Sequence, residues 1–209
     1  LDVPPQIAIG GAADWKLTTL LTARGDEMQP SERRFHLFAD LEDFVLDLPA
    51  PLGKDAGEAR TLEIDLSLEA QDRAVVRGAL GDVRALLSLR RDDSGWELDR
   101  GGLRADGQPA SVPSHRGLRI EGSLDRFVLD EWLALKSEHN AASKPLSRYL
   151  QAANVRIGSF ELFGYRWSDL RGILQATPTG WRVDVDGPDA TGQIFIPESF
   201  SGSVPLRAA

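Results

Sequence analysis

The sequence predicts a mainly β protein, an antiparallel meander of strands with one short helical insertion. Three observations carry this: apolar residues recur at every second position in several runs, Gly and Pro punctuate the intervals, and one stretch alone offers helix caps. The clearest run lies in residues 61–70, where Leu62, Ile64, Leu66 and Leu68 alternate with Glu63, Asp65, Ser67 and Glu69. That pattern describes a strand with one wet face. Phe35 and Leu37 repeat it, as do Val83, Ala85, Leu87 and Leu89, then Leu118 and Ile120, then Trp181, Val183 and Val185. One-sided alternation points to antiparallel pairing, because parallel strands buried on both faces read as continuous apolar runs. Between the runs, Ala50-Pro51-Leu52-Gly53, Asp93-Ser94-Gly95 and Thr177-Pro178-Thr179-Gly180 supply hairpin turns.

The alternation slips twice, where Leu124 is followed by Phe127 and Leu129, and where Val155 and Ile157 are followed by Phe160 and Leu162. Each slip predicts a bulge, with Gly122 and Gly158 close by to let the strand kink. The helical insertion is expected over residues 130–151: Asp130 caps a run from Glu131 to Leu135, Ser143 caps one from Lys144 to Leu150, and polar residues 137–140 form a loop between them. A weak echo links Ser94-Gly95-Trp96 to Thr179-Gly180-Trp181, each placing a turn glycine before a strand-opening Trp. It reads equally as two copies of a sheet unit and as a common way of starting a strand.

A chain of 209 residues with 42% hydrophobic content suffices for one large domain or two stacked modules. Its net charge of -8 offers no basic field for phosphates, which argues against nucleic acid and against docking flat on an anionic leaflet. With no cysteine, disulfides, thiolate metal sites and thiol nucleophiles are excluded. No window reaches the roughly 18–20 apolar residues of a membrane span, and no signal peptide opens the chain. Beginning at Leu1, it reads as a piece of something longer.

Catalytic motifs are not evident. His36, His115 and His139 are framed by no G-x-S-x-G or H-E-x-x-H pattern, and the acidic run Asp40, Glu42, Asp43 and Asp47 lacks calcium-loop spacing. The sequence therefore predicts no enzyme, no metal and no cofactor. The five tryptophans, at 15, 96, 132, 167 and 181, read first as packing and second as ligand contacts.

The stretch Asp40-Leu41-Glu42-Asp43-Phe44-Val45-Leu46-Asp47-Leu48-Pro49-Ala50-Pro51-Leu52-Gly53-Lys54 resembles a segment of YhdP-like proteins of the AsmA-like family that ends a strand and turns into the next. Asp14-Trp15, Trp96 with Asp99-Arg100-Gly101-Gly102, Gly117 to Gly122, Leu129-Asp130-Glu131-Trp132, Gly180-Trp181 and Ile196-Pro197 extend the resemblance in order along almost the whole chain. Asp43 departs from the small residue usual at its position.

The resemblance implies a single segment, residues 1–209, of a periplasmic protein tethered to the inner membrane by an anchor elsewhere in its own long chain. It also implies a twisted, open β-groove related to those of AsmA and TamB, which carries phospholipid acyl chains between the membranes. Baring about 30 lipid methylenes to water at roughly 0.8 kcal/mol each costs on the order of 20 kcal/mol, so passage requires a continuous apolar trough. The residues expected to face lipid are Phe35, Leu37, Leu62, Ile64, Leu66, Leu68, Leu87, Leu89, Leu118, Ile120, Val183 and Val185. The alternative is a structural or interaction module in which the same residues pack in a closed core. Alternation alone does not separate the two, and an enzyme acting on envelope glycans or lipids ranks a distant third.

Overall fold

The structure, a computed structural model, describes residues 9–21, 33–69, 71–93, 95–137 and 149–197. It is mainly β, with thirteen strands and one helix among the described residues. Its main sheet is mixed and has eleven strands. The chain divides into two compact units: residues 1–48 and 52–117 form one, and residues 49–51 and 118–209 the other.

In the first unit, β1 (Ile9–Gly11) and β4 (Phe44–Leu46) pair as a small antiparallel ribbon. The unit's part of the main sheet consists of β2 (Asp14–Leu21), β3 (Arg33–Asp40), β5 (Thr61–Leu68), β6 (Arg73–Leu80), β7 (Val83–Asp92) and β8 (Gly95–Arg104). They lie in the order β8-β7-β6-β5-β3-β2, every neighbour antiparallel. This is the expected meander. Its one register shift falls between Ser88 and Leu89, where β8 carries an extra residue opposite β7.

The long connection between β3 and β5 is held by Lys54, the one buried charged residue among those described. Its ammonium donates to the carbonyls of Glu42 (2.9 Å), Phe44 (2.7 Å) and Asp55 (2.9 Å). Three donors meet three acceptors, which is what allows the charge to leave water. Gly53 sits against the Leu48 carbonyl, where an added Cβ would lie 1.8 Å from the oxygen, so no larger residue fits this turn.

The second unit contains β9 (Gly117–Val128, of which Gly117 belongs to the first unit), α1 (Leu129–Ser137), β10 (Leu150–Leu162), β11 (Tyr165–Thr177), β12 (Gly180–Asp186) and β13 (Gly192–Pro197). Its strands lie in the order β13-β12-β11-β10-β9. Here the structure corrects the antiparallel expectation: β9 and β10 pair in parallel, and the sheet is mixed. The connection from Leu129 to Tyr149 returns the chain to the starting end, as a parallel pair requires, and α1 lies within it.

The helical insertion is shorter than expected. α1 ends at Ser137, and Leu150 and Gln151 belong to β10. The second expected helix, from Lys144 to Leu150, lies outside the described residues as far as position 148; Tyr149 is in a turn and Leu150 in the strand. The two expected bulges are corrected as well. Leu124 pairs with Ile157 and Phe127 with Phe160, so β9 and β10 stay in step through both slips. The irregularity appears instead as a left-handed backbone at Asp169 (φ 51°) in β11, next to Leu170, the partner of Ile157. Asp tolerates that conformation better than most residues, and its carboxylate accepts from Arg156 Nε at 2.7 Å. The shift in β9–β10 register comes earlier, between Leu150 and Ala152.

Candidate functional site

Registers decide which side chains share a face. Across the first unit, Phe35 of β3 pairs with Leu66 of β5, Leu66 with Val76 of β6, Val76 with Leu87 of β7, and Leu87 with Gly101 of β8. The next row runs Leu17, Leu37, Ile64, Gly78, Ala85 and Leu103. Leu62 aligns with Ala39 and Leu80, and Leu68 with Ala74 and Leu89. The eight residues that the sequence analysis selected here, Phe35, Leu37, Leu62, Ile64, Leu66, Leu68, Leu87 and Leu89, thus occupy one face of one sheet. Five spacings of about 4.8 Å make that face roughly 24 Å wide from β2 to β8.

In the second unit, Ile120 aligns with Ala153, Leu174, Val183 and Ile194, and Gly122 with Val155, Gly172 and Val185. Leu118 pairs with Leu150 on the same face of β9 as Ile120. Leu118, Ile120, Val183 and Val185 therefore share a face of that unit.

The face of the first unit is thinly covered, whereas on that of the second unit Leu118, expected to face lipid, is buried at 4%. Among the described residues no large side chain is fully buried, and the buried apolar residues are Ala39, Leu41, Ala74, Leu118, Ile157 and Leu170. Phe35, Leu37, Leu62, Ile64, Leu66 and Leu68 are all half-buried. Towards the β2 edge exposure rises, to 53% at Leu17, 66% at Leu21 and 67% at Trp15. Contiguous exposed apolar surface is the kind of feature found at interaction and ligand-binding sites.

The opposite face of the first unit is largely polar, with Leu20, Phe38, Val75 and Leu86 among its charged and hydroxyl residues. There His36 lies between two carboxylates of β5, its Nδ1 2.9 Å from Asp65 and its Nε2 3.9 Å from Glu63. The three offer ligand atoms within 4.8 Å of one another, a grouping that sequence spacing did not reveal because it depends on β3–β5 register. The carboxylates approach different ring nitrogens, so they bracket the imidazole rather than converge beside one of its nitrogens.

The tryptophans sort by environment. Phe127, Phe160 and Trp167 are register partners across β9, β10 and β11, with ring centroids 6.4 and 5.9 Å apart. Trp132 of α1 stacks on Phe127 at 6.2 Å and donates from Nε1 to the Ala50 carbonyl at 3.1 Å, while Tyr165 packs beside Trp167 at 6.0 Å. The row packs ring against ring, so Trp132 and Trp167 make packing contacts, as the first of the two readings of the tryptophans expects. Sequence reading missed the row because its members are scattered over forty positions. Trp181 is half-buried and donates from Nε1 to Leu150, whereas Trp15 and Trp96 (43%) are exposed.

No helix among the described residues is long and apolar enough to cross a membrane. No curated protein and no solved structure matches the chain. The family described as YhdP protein matches residues 3–209. With that match covering all but the first two residues, the chain belongs to the YhdP family.

Proposed function

We propose that this chain is a segment of an envelope lipid-transfer protein whose apolar sheet face carries phospholipid acyl chains through the periplasm between inner and outer membranes. In this reading the segment is a conduit and not an enzyme, and a part of the longer chain outside it anchors the protein in the inner membrane. The observation that carries the reading is the aliphatic face of the first unit, continuous over six strands, on which Phe35, Leu37, Leu62, Ile64, Leu66, Leu68, Leu87 and Leu89 are half-buried while the small residues Ala39 and Ala74 between them are buried. Side chains without hydrogen-bonding groups give acyl chains an apolar surface with no directional contacts that would hold them at one place, as movement along a path requires. Membership of the YhdP family supports an envelope setting for it.

The closed-core alternative requires the large aliphatic side chains of the face to be sealed from solvent; those of the first unit are half-buried, which favours the open reading there, whereas Leu118 of the second unit is buried at 4%. The test is lipid extraction and native mass spectrometry of the chain purified from bacterial cells. Bound phospholipid at a reproducible stoichiometry is expected. A lipid-free chain that also fails to take up phospholipid from detergent would overturn the proposal.

A further inference from the structure

Within the first unit, almost every strand position on the apolar face is uncharged, and the two exceptions lie at the same end. Arg33 follows Phe35 and Leu37 in the alternation of β3 and pairs with Leu21 and Leu68, both apolar. Arg91 continues the alternation of Leu87 and Leu89 in β7 and pairs with Trp96. Both arginines are exposed, and among the described residues neither forms an ion pair. The opposite end differs: Arg60, which precedes Leu62 on the same face, is bound to the Glu58 carboxylate and the Leu52 carbonyl.

A guanidinium beside aliphatic side chains that no described carboxylate neutralises is well suited to a phosphate held against that surface. Trp96, 43% exposed beside Arg91, has the amphipathic character found where apolar and wet surfaces meet.

We propose that this end of the face, marked by Arg33 and Arg91, is the rim at which phosphodiester headgroups ride while their acyl chains lie on Leu66, Leu68 and Leu89. The inference rests on the lipid-carrying reading given above. At least three strand spacings of about 4.8 Å separate β3 from β7, so the two arginines contact separate phosphates.

The test compares wild type with the Arg33→Gln/Arg91→Gln double variant, both delipidated and checked for equal thermal melting. Each is titrated with dioleoylphosphatidylglycerol, with dioleoylglycerol and with inorganic phosphate, with binding read by native mass spectrometry. Wild type is expected to prefer the phospholipid over dioleoylglycerol by about tenfold or more, as loss of a charged hydrogen bond predicts. The double variant should lose that preference and keep its dioleoylglycerol binding. A preference unchanged in the double variant would overturn the rim assignment alone. Arginine-dependent binding of inorganic phosphate as tight as that of phospholipid would overturn it in favour of a free-anion site. Failure of wild type to bind either lipid would instead remove the lipid reading on which the inference rests.

Discussion

Lys54 illustrates how a single residue fixes the geometry at one end of the sheet. Its sequence neighbourhood carries the family resemblance, but its role emerges only from the structure, where three carbonyls converge on Nζ. Replacing it with Ala removes the donors and strands those acceptors, which predicts a loss of about 2–3 kcal/mol of stability, measurable by urea denaturation. Near-neutral behaviour would mean that water replaces the ammonium without cost. Asp169 is tied to Arg156, whose hydrogen bond holds its carboxyl below the usual range. An aspartate with a lowered folded pKa adds stability above its unfolded value, near 4, and loses it as pH falls through the lower folded value. The Asp169→Asn variant should therefore narrow its stability gap to wild type as pH drops below about 4, and a gap constant down to pH 2 would contradict the pairing.

Among the elements, α1 and its neighbours show where local pattern and tertiary context part company. The helical run from Glu131 to Leu135 was legible, but Asp130 does not cap it: α1 already begins at Leu129, and Asp130 Oδ2 instead accepts from the Phe163 backbone N–H at 2.7 Å in the β10–β11 turn. Phe163 itself is left-handed (φ 51°) and 75% exposed, so the turn needs that anchor. Asp130→Ala should cost about 1 kcal/mol, visible as faster amide exchange at Phe163. Trp132→Phe should keep ring stacking with Phe127 and lose only the bond to Ala50, and so melt between wild type and Trp132→Ala. The parallel β9–β10 pair was not legible. The expectation of continuous apolar runs assumes helices on both faces of a parallel sheet, whereas here Arg119, Glu121 and Ser123 alternate with Leu118, Ile120 and Gly122 in β9. A one-sided sheet reads as antiparallel whichever way its strands run.

For the molecule as a whole, alternation placed each aliphatic residue on a face, and the registers assembled those faces into surfaces. What alternation did not contain was the cover. Leu66 has the same neighbours in sequence whether its face is open or sealed; in the fold it is half-buried. Arg33 and Arg91 likewise meet at one end only once four strands stand in register. An open face predicts that Leu66→Asp costs under about 2 kcal/mol, because water reaches the carboxylate, whereas a closed core predicts several kcal/mol and unfolding.

The most direct measurement pairs that melt with lipid contact at the same position. A photoreactive amino acid placed at residue 66 of the intact protein in living cells, and separately at residue 65, reports which face meets acyl chains. A phospholipid adduct is expected at 66 and none at 65, with near-normal folding of both. Equal labelling at the two positions, or no adduct at 66 in a folded protein, would contradict it.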